Sequence, residues 1–179
     1  FSISVFSNNR RNITDVSSTV FGIIYVTYLL AFLIFTRQMQ NGYYYIWFIL
    51  GGAWITDTFA YIVGMLSGKT VGNHKFSSIS PNKSIEGCIG GIIGCVLFFL
   101  GYSYYLSTVG IELNYILMAI IGFIISIISQ IGDFAASAIK RYCKIKDFGN
   151  IMPGHGGVLD RFDSILLVAP FIYLFFNLI

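Results

Sequence analysis

Leu113–Phe134 reads LNYILMAIIGFIISIISQIGDF, an apolar run in which the one ionisable side chain, Asp133, comes at the end. A membrane-spanning helix needs roughly 17–25 mostly apolar residues, and this run has that length. Similar runs occur at Thr19–Phe35, Tyr43–Leu66, Ile89–Leu106 and Ser164–Ile179. The last is short, and the second is interrupted by Asp57. Backbone groups in hydrocarbon must find hydrogen-bond partners within their own segment, so such runs form helices. The alternation of short strands expected of a β-barrel is missing. Only 11% of residues are charged and 56% are apolar, against about 25% charged in a soluble domain. The expected fold is therefore all-α, a polytopic integral membrane protein with about five transmembrane helices.

Five spans divide the remaining segments between two sides. One side collects Arg10, Arg11, Lys69, Lys75, Lys83, Lys140, Arg141, Lys144, Lys146 and Arg161, and the other holds Arg37. Positive charge in short loops stays cytoplasmic, which predicts that both long loops, Ser67–Gly87 and Lys140–Arg161, and any polar substrate they meet, lie there. Away from the carboxylates, basic residues such as Arg10, Arg11 and Lys75 suit topology and contact with anionic headgroups. The composition points to membrane lipids as partners and not to nucleic acid. The chain opens at Phe1 with no cleavage pattern after its first apolar run, so it reads as a fragment or as a protein trimmed at its N-terminus. Cys88, Cys95 and Cys143 show neither metal-site spacing nor even pairing; Cys88 and Cys95, seven apart on one helical face, read as small packing residues.

Nine of the nineteen charged residues fall between Asp133 and Asp163. Ionisable groups beside a hydrocarbon core are costly and usually mark function. Ser137 lies four residues after Asp133, on the same helical face. Asp160 and Asp163, three apart, also share a face. Three carboxylates and a hydroxyl, without a His or Cys cluster, suit a hard cation such as magnesium. The competing reading pairs these acids with Lys140, Arg141 and Arg161, but it gives no reason for the glycines of PGHGG, Pro153–Gly157. A glycine-rich turn entering a helix can approach phosphate closely and present several N–H groups. His155 within it suits a phosphate contact or a proton donor, or else simply fixes the turn. Asp57, inside the second run, needs something polar opposite it. Ser80, Lys83 and Glu86 suit a nucleotide grip, or a solvated loop. The steps Gly64/Gly68, Gly87/Gly91 and Gly90/Gly94 read as close helix-packing positions.

SAIKRYCKIKDFGNIMPGHGGVLDRFD, Ser137–Asp163, resembles the C-terminal signature of phosphatidate cytidylyltransferases, also called CDP-diacylglycerol synthases. The pattern S-x-apolar-K-R, K-D-x-small, P-x-H-G-G-apolar-x-D-R-apolar-D is matched at Ser137, Ile139, Lys140, Arg141, Lys146, Asp147, Gly149, Pro153, His155, Gly156, Gly157, Val158, Asp160, Arg161, Phe162 and Asp163. The segments Asp57–Tyr61 and Ser80–Lys83 are also similar to the family, so the likeness runs from about Trp54 to Ser164. Departures occur at Ala136, where many members carry Glu, at Met65 and Met152, and in a longer Gly68–Phe76 stretch.

The resemblance implies one membrane-embedded domain over 1–179, with N-terminal spans in 1–53, a catalytic core in 54–179, and further N-terminal spans in other members. It implies transfer of CMP from CTP to phosphatidate, giving CDP-diacylglycerol and pyrophosphate. It also implies a homodimer and a prokaryotic plasma-membrane setting with the active site facing the cytoplasm. Magnesium, with or without a second cation, would be held by Asp133, Ser137, Asp160 and Asp163. The catalytic set is Asp133, Lys140, Arg141, His155, Asp160, Arg161 and Asp163. Asp57, Ser80, Lys83, Lys146, Asp147, Gly156 and Gly157 would contact nucleotide and substrate. Alternatives are cytidylyl transfer to another lipid phosphate, as in CDP-archaeol synthesis, and an ion or proton transporter. A transporter would spread its acids through the membrane depth, whereas these crowd toward one end. The spacing D-G-x-x-A-R of CDP-alcohol phosphatidyltransferases is missing.

Overall fold

The structure, a computed structural model, describes residues 13–70, 84–149 and 157–178. The described residues form helical rods in chain order. The first joins α1 (Ile13–Ile23), a π-helical turn (Ile24–Tyr28) and α2 (Leu29–Gln38) end to end. Then come α3 (Gly42–Thr70), α4 (Ile85–Thr108), α5 (Tyr115–Tyr142) and α6 (Leu159–Leu178). Four rods are long and apolar enough to cross a membrane: Thr14–Gln38, Gly42–Gly68, Ile85–Thr108 and Tyr115–Tyr142. The fifth, α6, has 20 residues, which at about 1.5 Å each is the thickness of a bilayer core. The all-α, polytopic membrane architecture is as expected.

Local chemistry sets most of the helix ends. Ser84 caps α4 by accepting from the Gly87 N–H at 3.1 Å, and Asn114 caps α5 by accepting from Ile116 and Leu117. Both satisfy N–H groups that have no partner inside the helix. Between α2 and α3 the chain reverses through Asn41, at φ 62°, a left-handed conformation that Asn tolerates. Gly42 follows because a Cβ there would run into the carbonyls of Thr36 and Arg37.

The helices run further into polar sequence than the apolar runs suggest. Lys140 and Arg141, expected in a loop, form the last turn of α5, and Asp160 lies in the first turn of α6. The stop comes later, where Lys144 adopts φ 57°. There Ile145 N–H donates to the Lys140 carbonyl at 3.0 Å, and Lys144 N–H to that of Arg141 at 3.1 Å. This is a Schellman cap with lysine where glycine is usual. Basic side chains in the last turn and an acid in the first also oppose the helix dipoles favourably.

In lipid, helix association gains little from apolar burial and depends on close packing. The glycines of α4 supply it. A Cβ on Gly87 would lie 2.6 Å from the Ala60 carbonyl, and one on Gly91 2.9 Å from that of Thr56. Gly90 and Gly94 pack equally tightly on Val63 and Phe59. The expected steps Gly87/Gly91 and Gly90/Gly94, with Gly64 opposite Gly87, therefore form the α3–α4 seam, whereas Gly68 is exposed. On its other side α4 meets α5, while α6 packs against α5, α2 and α3. An aromatic cluster joins the layers, with Tyr45 stacked on Phe176 at 3.9 Å and Phe48 at 4.9 Å from Phe99. The outer face of α5 carries Ile116, Ile120, Phe123, Ile127 and Ile131, all exposed at helical spacing, as a lipid-facing stripe requires.

Candidate active site

The end of α5 and the start of α6 meet at Asp160. Its Oδ1 accepts from Lys140 Nζ at 2.8 Å. Its Oδ2 accepts from the backbone N–H groups of Phe148 and Gly157, both at 2.9 Å. One carboxylate thus fastens three pieces of chain: the last turn of α5, the loop after it, and the turn leading into α6. Close backbone approach accompanies this. A Cβ on Gly157 would stand 2.8 Å from the Gly149 nitrogen, so a side chain at 157 would push the loop off Asp160. Phe148 also lays its ring beside the Lys140 ammonium, 5.3 Å from the centroid, a favourable cation–π distance.

Asp163, one turn along α6, is buried with 6% of its surface exposed. Its Oδ1 accepts from the Ser164 N–H at 2.9 Å, and Oδ2 lies 3.9 Å from Lys140 Nζ. Lys140 therefore addresses both acids of α6, Asp160 more closely. Asp133 on α5 and Asp57 on α3 stand near enough to act on Asp163 electrostatically. A helix crossing causes the first approach: a Cβ on Gly132 would meet the Asp163 carbonyl at 3.1 Å and Ser164 Cα at 3.2 Å. With no side chain at 132, α5 and α6 close up and Asp133 is carried to Asp163. The second approach is fixed by the Ser164 hydroxyl, which donates to Asp57 Oδ2 at 3.0 Å. This is the polar group that Asp57 needed opposite it.

Three helices therefore bring Asp57, Asp133 and Asp163 to one depth, beside the Lys140–Asp160 pair. The donors are all hard oxygens, which fits magnesium or a similar ion in kind. The described residues do not form a finished cage, because no three of their acidic, histidine or cysteine side chains are grouped closely enough to hold an ion. The expected ligand Asp160 is engaged by Lys140 and two backbone N–H groups. Ser137 is half-buried one turn after Asp133.

The other expected site residues fall into two groups. Arg141, Lys146, Asp147 and Arg161 are exposed around the hub. Ser80, Lys83, His155 and Gly156 lie outside the described residues, as do Arg10, Arg11 and Lys75. Sequence reasoning missed Ser164, Gly132 and Tyr25. The Tyr25 hydroxyl is buried without a hydrogen-bond partner among the described residues, within electrostatic reach of Asp163. Ser164 directly follows the DRFD run, which was a usable signal. Nothing in the first apolar run distinguishes Tyr25.

Curated relatives include phosphatidate cytidylyltransferases of Staphylococcus haemolyticus, 40% identical, Staphylococcus epidermidis, 39%, and Staphylococcus aureus, 38%. Each alignment covers 94% of this chain and 62% of the relative. The chain thus spans somewhat less than two thirds of their length. A family model described as the cytidylyltransferase family matches residues 1–179. On that match, the chain belongs to the cytidylyltransferase family.

Proposed function

We propose that the chain carries the catalytic core of a phosphatidate cytidylyltransferase, which joins CTP and phosphatidate into CDP-diacylglycerol and pyrophosphate. The observation that carries the proposal is the meeting of Lys140, Asp160 and Asp163, where α5 ends and α6 begins, with Asp133 from further back in α5 and Asp57 from within α3. The names of the relatives supply the substrates. Cytidylyl transfer to another lipid phosphate would use the same centre, and product analysis separates the two.

The reaction forms a bond between a phosphate oxygen of phosphatidate and the α-phosphorus of CTP. The bond from that phosphorus to the β-phosphate oxygen breaks, and pyrophosphate leaves. The attacking phosphate monoester has a second pKa of about 6, so it is already an anion at neutral pH and needs no strong base. The obstacle is repulsion between two anions, which positioning and positive charge overcome. Lys140, held at Asp160, presents an ammonium of fixed position. Arg141 and Arg161 flank it and suit bidentate phosphate contact. His155 would assist the departure of pyrophosphate, and Ser80 and Lys83 would hold the nucleotide. Asp133 and Asp163, with Ser137, are the groups that would hold magnesium. Once bound there, the ion would neutralise phosphate charge.

The long loops would face the cytoplasm. Lys140, Arg141, Lys144, Lys146 and Arg161 all lie at the end where α5 stops and α6 starts, whereas Arg37 ends α2 on the other side; positive charge retained inside gives that orientation. A homodimer in a bacterial plasma membrane is the expected setting. Membranes containing the protein, given phosphatidate, labelled CTP and magnesium, should form a CDP-lipid with release of pyrophosphate, and a chelator should stop it. Absence of any CTP-dependent lipid product would refute the function. Product formed undiminished in chelator would refute the cation alone.

A further inference from the structure

Beside the acid–lysine hub lies a cavity of about 650 Å³, walled by the first rod and the end of α5. Phe21, Gly22, Tyr25 and Val26 line one side, and Ile139 and Tyr142 the other. Its volume falls within the ~300–1,000 Å³ usual for a ligand site.

The cavity and the hub share a wall. Phe148 lines the cavity, while its backbone N–H holds Asp160 and its ring flanks Lys140. Leu159, the residue before Asp160, lines it as well. Tyr25 spans the boundary from the opposite side. Its ring belongs to the cavity and stacks on Phe21 at 5.5 Å, whereas its hydroxyl lies buried within reach of the Asp163 charge. Tyr25 sits in the π-helical turn Ile24–Tyr28, a local widening of the helix that is frequent where a side chain serves a site. A buried hydroxyl with no partner among the described residues is costly unless a ligand or water completes it.

An apolar chamber beside an ammonium and a lone hydroxyl matches one kind of molecule, an amphiphile with an anionic head. Both walls belong to rods that cross the membrane, so the amphiphile reaches the chamber from the bilayer. We propose that this cavity takes a fatty-acyl chain of the phosphatidate, with the Tyr25 hydroxyl donating to its phosphate beside Lys140. The inference rests on the proposed activity and deepens it: the apolar half of the lipid is held by protein, and Tyr25 is a specificity residue.

Gly22 gives a direct test. Gly22 lines the cavity and a Cβ built there meets nothing within 4 Å, so the side chain of Gly22→Phe starts in open space at the cavity wall. With the protein in membranes, KM for dioleoyl phosphatidate should rise roughly tenfold while KM for CTP stays at the wild-type value. Dihexanoyl phosphatidate should be affected much less. Tyr25→Phe removes one oxygen and leaves the ring, so it reports even if Gly22→Phe folds badly. It should raise KM for both phosphatidates roughly tenfold and again spare CTP. A phosphatidate carrying a photoreactive diazirine in one acyl chain should label peptides containing Phe21–Val26 or Ile139–Cys143. Unlabelled phosphatidate should compete, and phosphatidylcholine should not. Equal competition by phosphatidylcholine would mean ordinary boundary lipid and would overturn the proposal. So would unchanged kinetics in both variants of an active enzyme. A wild-type protein that makes no CDP-lipid would instead refute the underlying activity, so the two failures are distinguishable.

Discussion

Asp160→Asn tests the hub most sharply. The carboxylate accepts from one ammonium and two backbone N–H groups, and its side chain is only 9% exposed. Asparagine keeps one carbonyl oxygen, loses the charge, and turns an NH₂ toward at least one of the former donors. Hydrogen bonds to a charged group contribute about 1.5–3 kcal/mol each, and breaking a buried ion pair costs about 3–5 kcal/mol. A loss of about 3 kcal/mol is the expected size, because the retained oxygen recovers part of it. For a chain of this length that corresponds to a fall in Tm of about 6–12 °C. Unfolding can be followed by thiol labelling, since Cys95 is buried while Cys143 is exposed; a Cys143→Ser background removes the early signal. Turnover should fall at least about a hundredfold, equivalent to about 2.7 kcal/mol of barrier. Lys140→Ala and Asp160→Ala should then be strongly non-additive, with the double variant milder than the sum by about 2 kcal/mol. Additive effects would show that the two side chains do not work as a unit, and the reasoning from the hub would fail.

Asp163→Asn should abolish CDP-lipid formation while leaving Tm unchanged or higher, because one of several facing negative charges is removed; a variant with a tenth or more of wild-type turnover would rule out an essential role. Gly87→Val should force α4 away from the Ala60 carbonyl and cost about 1–3 kcal/mol, as overpacking does, read as a lower Tm; unaltered thermal stability would contradict the tight α3–α4 seam. Lys144→Gly should raise stability by about 1 kcal/mol, since the residue holds a left-handed conformation that glycine adopts without strain. CDP-lipid formation should match wild type, and a collapse would place Lys144 inside the site.

The sequence made the rods legible in order because each apolar run has the length a bilayer demands. It misled at their ends. Lys140 and Arg141 remain helical because the cap at Lys144 uses a lysine in a conformation where a reader looks for glycine. At the site, the charged cluster pointed to the two segments that the Lys140–Asp160 pair joins, and the need of Asp57 for a polar neighbour was answered by Ser164. The division of labour among the acids was less visible. Asp160 and Asp163 share a helical face, yet only the structure shows that one fastens the chain while the other turns toward Asp57 and Asp133. Tyr25 could not be found by pattern, since a tyrosine among aliphatics carries no signal until its hydroxyl is seen facing an acid.

The π-helical turn sets the rotation of everything before it. An α-helix advances about 100° per residue, so one surplus residue wound into Ile24–Tyr28 twists α1 by that angle relative to α2. Deleting a single residue there would restore an ordinary helix and keep the rod's hydrophobicity, yet swing Phe21 and Gly22 away from α5. The N-terminal half of this rod is thus indexed, like a key cut to a particular angle, and insertions or deletions in an otherwise featureless apolar run are not neutral.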